Sequence, residues 1–492
     1  MKSYKNFIDG EWTGAKSGKT FLDRNPADRR EILGTVPRSA AADIDRAVRS
    51  AKKAMPGWAA TPAPKRGEVL FRSAQILEQK KEKLACLMTR EMGKLLRESR
   101  ADVQEAIDTA SFFAGEGRRL YGQTVPSELK NKMCLTLRRP VGVCGLITPW
   151  NFPLAIPAWK VYPALICGNA VVLKPAEDTP LMSLLFAEIL ADAGLPAGVM
   201  NVVAGFGKEA GVPLVQHKDV SLVSFTGSSE VGSRIASTCG GLLKRCSLEM
   251  GGKNAQIVME DADLDLAVTA ALWGAFATSG QRCTATSRII LHEKIYRRFL
   301  KLFVKAASGL KIGRGDDPSV ALGPIINETQ LRQIHRRVQK ARKEGARLVL
   351  GGRIEKTGDR KHGYFYRPTI FTGVSSRMSV AQAEIFGPVV GVIKVKNYEE
   401  AIRVTNDSVY GLSSSIFTRD VARAIKSLEE IQSGITYVNS STIGAEAHLP
   451  FGGIKHTGNG HREAGVTALD IFSEWKTVYL DTSGKLQRAQ MD

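Results

Sequence analysis

Between positions 66 and 93 the chain reads RGEVLFRSAQILEQKKEKLACLMTREMG, with apolar residues three and four apart. That spacing predicts helix, and the same pattern extends over residues 43–118. Ahead of it, NFIDGEW sets Asp9-Gly10 between apolar positions, a turn pair that predicts a hairpin. From Val141 the period shortens. VGVCGLI (141–147), AVVLK (170–174), MNVVAG (200–205) and VSLVSF (220–225) are short apolar runs of strand length. Between them, residues 157–166, 180–193 and 208–217 have helical spacing. Strands alternating with helices predict a doubly wound parallel sheet, and such sheets bind ligands at the carboxyl ends of their strands.

A second α/β region follows residue 252. A helix over roughly 263–279 leads into GQRC, and strands are predicted at 289–291, 347–350, 389–395, 412–417 and 435–438 with helices between. Residues 439–465 are rich in Gly, Pro, Ser and His, as expected of a long functional loop. The tail FSEWKTVYL (472–480) is strand-like, and pairing with a partner subunit is one expectation for it. A chain of 492 residues favours two or three domains and is long enough to bury large cores without a disulfide or metal staple.

The net charge of +20 raises the question of nucleic acid. Lys and Arg are interleaved with Glu, as in QKKEK (79–83), with no long like-charge block, zinc-finger spacing or aromatic RNP motif. A solvated basic surface is therefore expected, with no nucleic-acid partner. The N-terminus has no apolar signal region and no uncharged stretch reaches membrane-spanning length, so no membrane partner is expected either. Seven Cys without CxxC pairs read as reduced thiols of a cytoplasmic protein. Cys86, Cys134, Cys144, Cys167, Cys239 and Cys246 sit among apolar or small neighbours and read as inert packing residues.

Cys283 differs. SGQRCTA (279–285) puts it in a polar turn after a helix, beside Arg282, a setting expected to lower a thiol pKa. Glu249 precedes two glycines in LEMGGK and is either a general base or merely solvated. Asn151 in TPWNFP is a side-chain amide in a stiff apolar setting; it can donate to an oxyanion or only close its own turn. After a strand, FTGS offers the N–H groups following Gly227, and the Ser228 hydroxyl, to a phosphate at a helix N-terminus. In LKPAEDTP, Lys174 and Glu177 follow a strand, where an acid can accept ribose hydroxyls or simply complement a helix dipole.

TPWNFP, LKPAEDTP, FTGS, LEMGGK, GQRC, EIFGPV and PFGGIK…GHREAG, in this order, resemble the aldehyde dehydrogenase superfamily over nearly the whole chain. Two positions depart from the usual pattern: Met250 stands where Leu is usual, and KHTG where KxSG is. The resemblance implies a doubly wound Rossmann-type cofactor domain (1–124 and 141–251), a second α/β catalytic domain (252–455) and a small β oligomerisation flap (125–140 and 470–485). It implies NAD or NADP as cofactor, and Glu177 favours NAD, since a carboxylate accepts a 2′-hydroxyl but repels a 2′-phosphate.

By the same resemblance Cys283 is the nucleophile that forms a thioester, Asn151 and the Cys283 N–H make the oxyanion hole, and Glu249 activates the hydrolytic water. Lys160 and Glu463 match a proton route behind that base. Lys174 and Glu177 face the adenosine ribose, Gly227 and Ser228 the pyrophosphate, Glu384 the nicotinamide ribose, with Phe386 beside the ring; Trp150 is a further cofactor-binding residue. A homodimer or homotetramer is implied.

Within the superfamily, EMGK, PSELKNKM, SGQRCTATSRIILHE and GAEAHLPFGG are most similar to bacterial α-ketoglutarate semialdehyde (2,5-dioxopentanoate) dehydrogenases. The α-aminoadipate semialdehyde group is second. Both imply an aldehyde that carries a carboxylate. Arg282, next to the thiol, either pairs with that carboxylate or points away and braces its loop through carbonyls, and the small residues Gly444 and Ala445 offer backbone N–H donors to it; resemblance to the second group adds Glu105 for an ammonium. A CoA-acylating enzyme shares GQRC but lacks the hydrolytic Glu, and a non-catalytic binding protein on this fold would be expected to have lost Cys283 or Glu249.

Overall fold

The computed structural model describes residues 1–490. The N-terminal strands Asn6–Ile8 and Glu11–Thr13 form the expected hairpin, with Asp9 and Gly10 both at positive φ (57° and 78°). Three long helices follow, Ala41–Ala60, Ala63–Met92 and Leu96–Glu116.

The first sheet has seven strands in the order Arg245–Glu249, Leu222–Thr226, Val143–Ile147, Ala170–Lys174, Met200–Val202, Asn6–Ile8, Glu11–Thr13. The first five are parallel. Val143–Ile147 comes first in the chain of these five. The next two strands lie on one side of it and the last two on the other. The strand order thus reverses between Val143–Ile147 and Leu222–Thr226, and a crevice opens at their carboxyl ends. Both faces of the sheet are covered, by helices including Ala155–Ile166 and Ala41–Ala60, which explains why its strands read as continuous apolar runs.

The second sheet also has seven strands: Arg347–Leu350, Thr369–Thr372, Val389–Val395, Thr286–His292, Asn254–Val258, Ser413–Phe417, Ile435–Val438. Only the first pair is antiparallel. Asn254–Val258 and Thr369–Thr372 were not expected from the sequence. The helix predicted to run to 279 ends at Phe276, because Thr278 and Ser279 turn left-handed (φ 50° and 55°). The helix expected over 208–217 is interrupted, with a π-helical turn at Gly207–Gly211 before Val212–Gln216.

The tail strand Ser473–Asp481 pairs along its whole length with Lys132–Pro140 of the same chain, antiparallel, and Thr124–Pro126 completes a three-stranded sheet. Its pairing partner thus lies in its own chain, over 300 residues away. The expectation for three of the cysteines is corrected as well. Cys86 is exposed on a helix, and Cys134 and Cys246 are only partly buried; Cys144, Cys167 and Cys239 are buried as expected. Among the described residues no helix is long and apolar enough to cross a membrane.

Removing residues from Ser473 onward should leave the nine-residue edge of Lys132–Pro140 bare. An uncovered edge templates aggregation. Size-exclusion chromatography with light scattering should find aggregate; a monodisperse, active truncated chain would contradict this.

Candidate active site

The crevice at the strand-order reversal is a cleft of about 460 Å³. From the first sheet it takes Pro149–Asn151, after Val143–Ile147, and Thr226–Glu230, after Leu222–Thr226. Ser228 caps the helix Ser229–Gly241, its hydroxyl accepting from the Val231 N–H at 3.4 Å. A helix N-terminus therefore opens on the cleft, where unpaired N–H groups and the helix dipole favour an anion. Lys174 and Glu177 follow the neighbouring strand, outside the cleft lining, with Nζ and Oε2 3.1 Å apart.

The opposite wall comes from the second region: Cys283, Gln330, Gln333, Arg337, Glu384 and Phe386 among others. Phe386 is left-handed (φ 57°), and its ring meets Trp150 edge-on at 5.3 Å. Gln330 holds that loop by donating to the Ile385 and Phe386 carbonyls at 3.2 and 3.1 Å. Glu384 accepts from the Gly252 N–H at 3.0 Å. Burial lifts its carboxyl to about 7, opposed by that hydrogen bond and by Lys253.

Cys283 lies where this cleft meets a second, inner cavity of about 80 Å³, which Glu249, Glu463, Arg282, Glu105, Gly444 and Ala445 also line. Cys283 is partly exposed. Its turn is fastened from several sides. The Asn254 amide donates to the Cys283 and Ala285 carbonyls at 2.7 and 2.9 Å and accepts from the Ser413 N–H at 3.0 Å. Gln281 donates to the Pro324 carbonyl and accepts from the Ile326 N–H. Asn151 donates to the Gln281 carbonyl at 3.1 Å, which ties the two walls together. The amide's second hydrogen is left for another acceptor. Neither Asn254 nor Gln281 was singled out by sequence.

The expected lowering of the Cys283 thiol is not found. Burial first, then Glu384 and Glu249, push it up to about 12, against the Thr284 and Cys283 N–H groups. Arg282 does not offset this because its side chain turns elsewhere. Its Nε donates to Thr278 Oγ1 at 2.9 Å, and the guanidinium lies over the rings of Phe152 and Trp273 at 5.1 and 5.4 Å. Its terminal nitrogens have no hydrogen-bond partner among the described residues, and it borders the inner cavity.

Glu249 ends the strand Arg245–Glu249. It is buried, and neither carboxylate oxygen has a partner among the described residues. Burial, then Glu463, raise its pKa well above the ordinary value; Lys160 and Arg462 oppose them. Lys160 is itself buried, ion-paired with Glu463 and donating to Ser224 Oγ at 2.9 Å. Glu105 is half-buried beside the cavity, with Oε1 buried and unpartnered among the described residues. Burial and Asp102 lift it to about 8, against Arg282 and Lys94. The loop over 439–465 closes the cavity through Gly444, Ala445, Phe451 and Glu463, with Phe451 and Glu463 bridged to each other and Gly458 bridged to Glu249.

Such a site can bind an anionic dinucleotide at the helix N-terminus and hold an aldehyde against a thiol, with a carboxylate on the far side of it. The aldehyde dehydrogenase family model matches residues 12–478. An α-ketoglutaric semialdehyde dehydrogenase from Bacillus subtilis is 42% identical over 480 residues, 98% of each chain. Human retinaldehyde dehydrogenase 3 is 40% identical over 99% of this chain and 94% of its own. The crystal structure of betaine aldehyde dehydrogenase from Staphylococcus aureus in complex with NAD+ superposes with a TM-score of 0.96 at 34% identity, covering 98% of this chain and 96% of that one. The match spans both sheets and the cleft between them: this chain belongs to the aldehyde dehydrogenase family and is an NAD(P)-dependent oxidoreductase.

Proposed function

We propose that the chain oxidises a short semialdehyde bearing a carboxylate at its far end, of the α-ketoglutarate semialdehyde type, to the corresponding acid. The observation that carries this reading is Arg282: a guanidinium with free terminal nitrogens on the inner cavity, one residue from the thiol. Gly444 and Ala445 border the same cavity, and such small residues let main chain approach an anion closely. The relative of that name from Bacillus subtilis supports the reading.

Cys283 attacks the aldehyde carbon, and the Asn151 amide with the Cys283 N–H holds the oxyanion. The dinucleotide supplies the hydride acceptor. It would be held by the helix N-terminus at Ser228, by Glu384, and by Lys174 and Glu177 on the ribose. The aromatic pair Trp150 and Phe386 excludes water beside it. Glu249 takes a proton from the water that cleaves the thioester, and the Lys160–Glu463 pair behind it passes that proton on. A cytoplasmic homodimer or homotetramer completes the reading.

A second reading, an α-amino semialdehyde, is favoured by the unpartnered Glu105 carboxyl, which would accept from an ammonium. Its pKa of about 8 separates the two. Below pH 8 the neutral carboxyl donates, which suits a 2-oxo oxygen; above it the carboxylate accepts. The kcat/KM ratio of 2-amino to 2-oxo semialdehyde should therefore rise between pH 7 and 9, and Glu105→Gln should flatten that rise. A ratio independent of pH in the unmodified enzyme would rule out a direct contact.

Arg282→Ala should lower kcat/KM for a carboxylate-bearing semialdehyde roughly tenfold to a hundredfold, the loss of a charged hydrogen bond worth about 1.5–3 kcal/mol. A neutral aldehyde of equal length should be spared; equal loss with both would show that Arg282 serves the loop and not the substrate. Cys283→Ala should abolish turnover and keep cofactor affinity. Glu249→Gln should keep a burst of NAD(P)H of about one per site and then stall. Loss of that burst would place Glu249 earlier in the reaction.

The raised thiol gives another measurement. In the cofactor-free chain, iodoacetamide should label the Cys283 peptide slowly at pH 7, with a rate climbing about tenfold per pH unit to pH 10. A plateau near pH 8, read by mass spectrometry, would mean a thiol far more acidic than its surroundings imply.

A further inference from the structure

The EMGK segment (91–94) and the helix after it belong to the first half of the chain, yet they touch both walls of the site. Gly93 ends the helix Ala63–Met92 at φ 88°, and a Cβ there would come within 2.5 Å of Pro324 and 2.9 Å of Pro26. A Cβ on Gly323 would meet the Gly93 carbonyl at 2.3 Å, and one on Gly315 the Lys94 carbonyl at 2.3 Å. The Leu96 N–H donates to the Gly315 carbonyl at 2.9 Å. Residues 93–96 are therefore wedged against residues 315–324, and the wedge fits only because these positions lack side chains.

From this wedge the helix Leu96–Glu116 sends two acids in different directions. Glu98 accepts the Thr278 N–H at 2.7 Å and, with its other oxygen, the Leu95 N–H at 3.0 Å. Thr278 begins the left-handed run that turns the chain toward Cys283, and its hydroxyl holds Arg282. Asp102 accepts the Ala155 N–H at 2.8 Å, just past Asn151, and the Lys94 ammonium at 2.8 Å. Both members of that ion pair are fully buried. The same ammonium lies 4.0 Å from the centre of the Phe152 ring, whose ring Arg282 also faces. One helix start thus grips the oxyanion-donor loop through Asp102 and Lys94, and the nucleophile turn through Glu98.

We propose that Lys94, Glu98 and Asp102 are positioning residues that set the Asn151 amide against Cys283. A buried ion pair does not by itself add stability, since desolvation offsets the attraction. A pair that fixes one geometry explains its presence better than one that merely holds the fold. Misplacing a reacting group by about 1 Å costs roughly a hundredfold in rate. The inference rests on the assignment of Cys283 and Asn151 made above.

The test is the rate of the NAD(P)H burst per active site, measured in the Glu249→Gln background where deacylation is blocked, with sites counted by burst amplitude. In Lys94→Met combined with Asp102→Asn, both members of the ion pair lose their charge together, and the oxygen of the introduced amide still accepts from the Ala155 N–H. The burst rate per site should fall about tenfold to a hundredfold, while NAD affinity stays within about twofold. Glu98→Ala should behave alike, and Glu98→Gln, which keeps an acceptor for Thr278, should recover most of the rate. If the variants lose amplitude and melting temperature but keep the burst rate per site, the helix only supports the fold and the proposal fails. The parallel Cys283→Ala control separates the two readings: full turnover there overturns the nucleophile assignment, whereas a dead Cys283→Ala with unchanged burst rates in the helix variants overturns only this inference.

Discussion

Glu249, Glu463 and Lys160 are buried in a seam between the two sheets, with Cys283 and Glu384 half-buried where the cleft meets it. Removing an ionised group from water costs several kcal/mol even after relaxation, so such groups pair or become neutral. Both pressures are visible side by side. Lys160 and Glu463 pair, and Glu249, next to them with no hydrogen bond among the described residues, has its proton affinity raised. The small residues of the 449–465 loop make room for this arrangement: a Cβ on Gly452 would lie 2.4 Å from Glu249 Oε1. The proton affinity of this carboxyl is held above that of an exposed one, and the Lys160–Glu463 ion pair is its nearest charged neighbour. Lys253 repeats the theme close to Glu384, its buried amine pushed down to about 7 by burial and Arg288.

The division of labour between the sheets follows from topology. The first sheet reverses its strand order where Val143–Ile147 meets Leu222–Thr226, so its crevice and a helix N-terminus coincide. That wall can hold phosphate without any charged side chain. The second sheet contributes the thiol, and Asn254 at the start of a central strand fixes its turn through two hydrogen bonds while a third, from the Ser413 N–H, holds Asn254 itself. The walls meet through Asn151 and the Gln281 carbonyl. A shift of one sheet relative to the other would therefore disturb the Asn151 amide directly.

The residues legible in the sequence were those whose local setting is unusual in itself: a Cys among polar neighbours, a Glu before paired glycines, an amide between aromatic residues. The first sheet was legible because strands buried on both faces read as apolar runs. Asn254–Val258 was not, because Asn254 and Gln256 interrupt its run; both are buried, and Gln256 spends its amide on the Ala267 carbonyl. Adjacency misled once. Arg282 is next to Cys283 in sequence, yet its guanidinium sits on Phe152 and Trp273, so the thiol is governed by burial and two carboxylates. The tail strand was visible as a strand, but nothing local names a partner more than 300 residues away. Lys94, Glu98 and Asp102 look like ordinary helix-start residues, and their roles exist only in tertiary contact.

Backbone strain marks the same seam. Thr278, Ser279 and Phe386 are left-handed without being glycine, and Gly280 between the first two and Cys283 has φ 68° with the Gly387 carbonyl 2.3 Å from where a Cβ would sit. Each non-glycine residue in that region costs about 1–3 kcal/mol and persists only where its surroundings over-determine it. Here they do. Glu98 holds the Thr278 N–H, Ser279 Oγ donates to the Gly323 carbonyl at 2.8 Å, Gln281 spans to Pro324 and Ile326, and Gln330 holds Phe386. The two strained turns touch at Gly280 and Gly387, so neither can relax alone. Cys283 and Phe386 are thereby held on one wall of the cleft by a shared constraint, and the site's geometry is set by the fold before any ligand arrives.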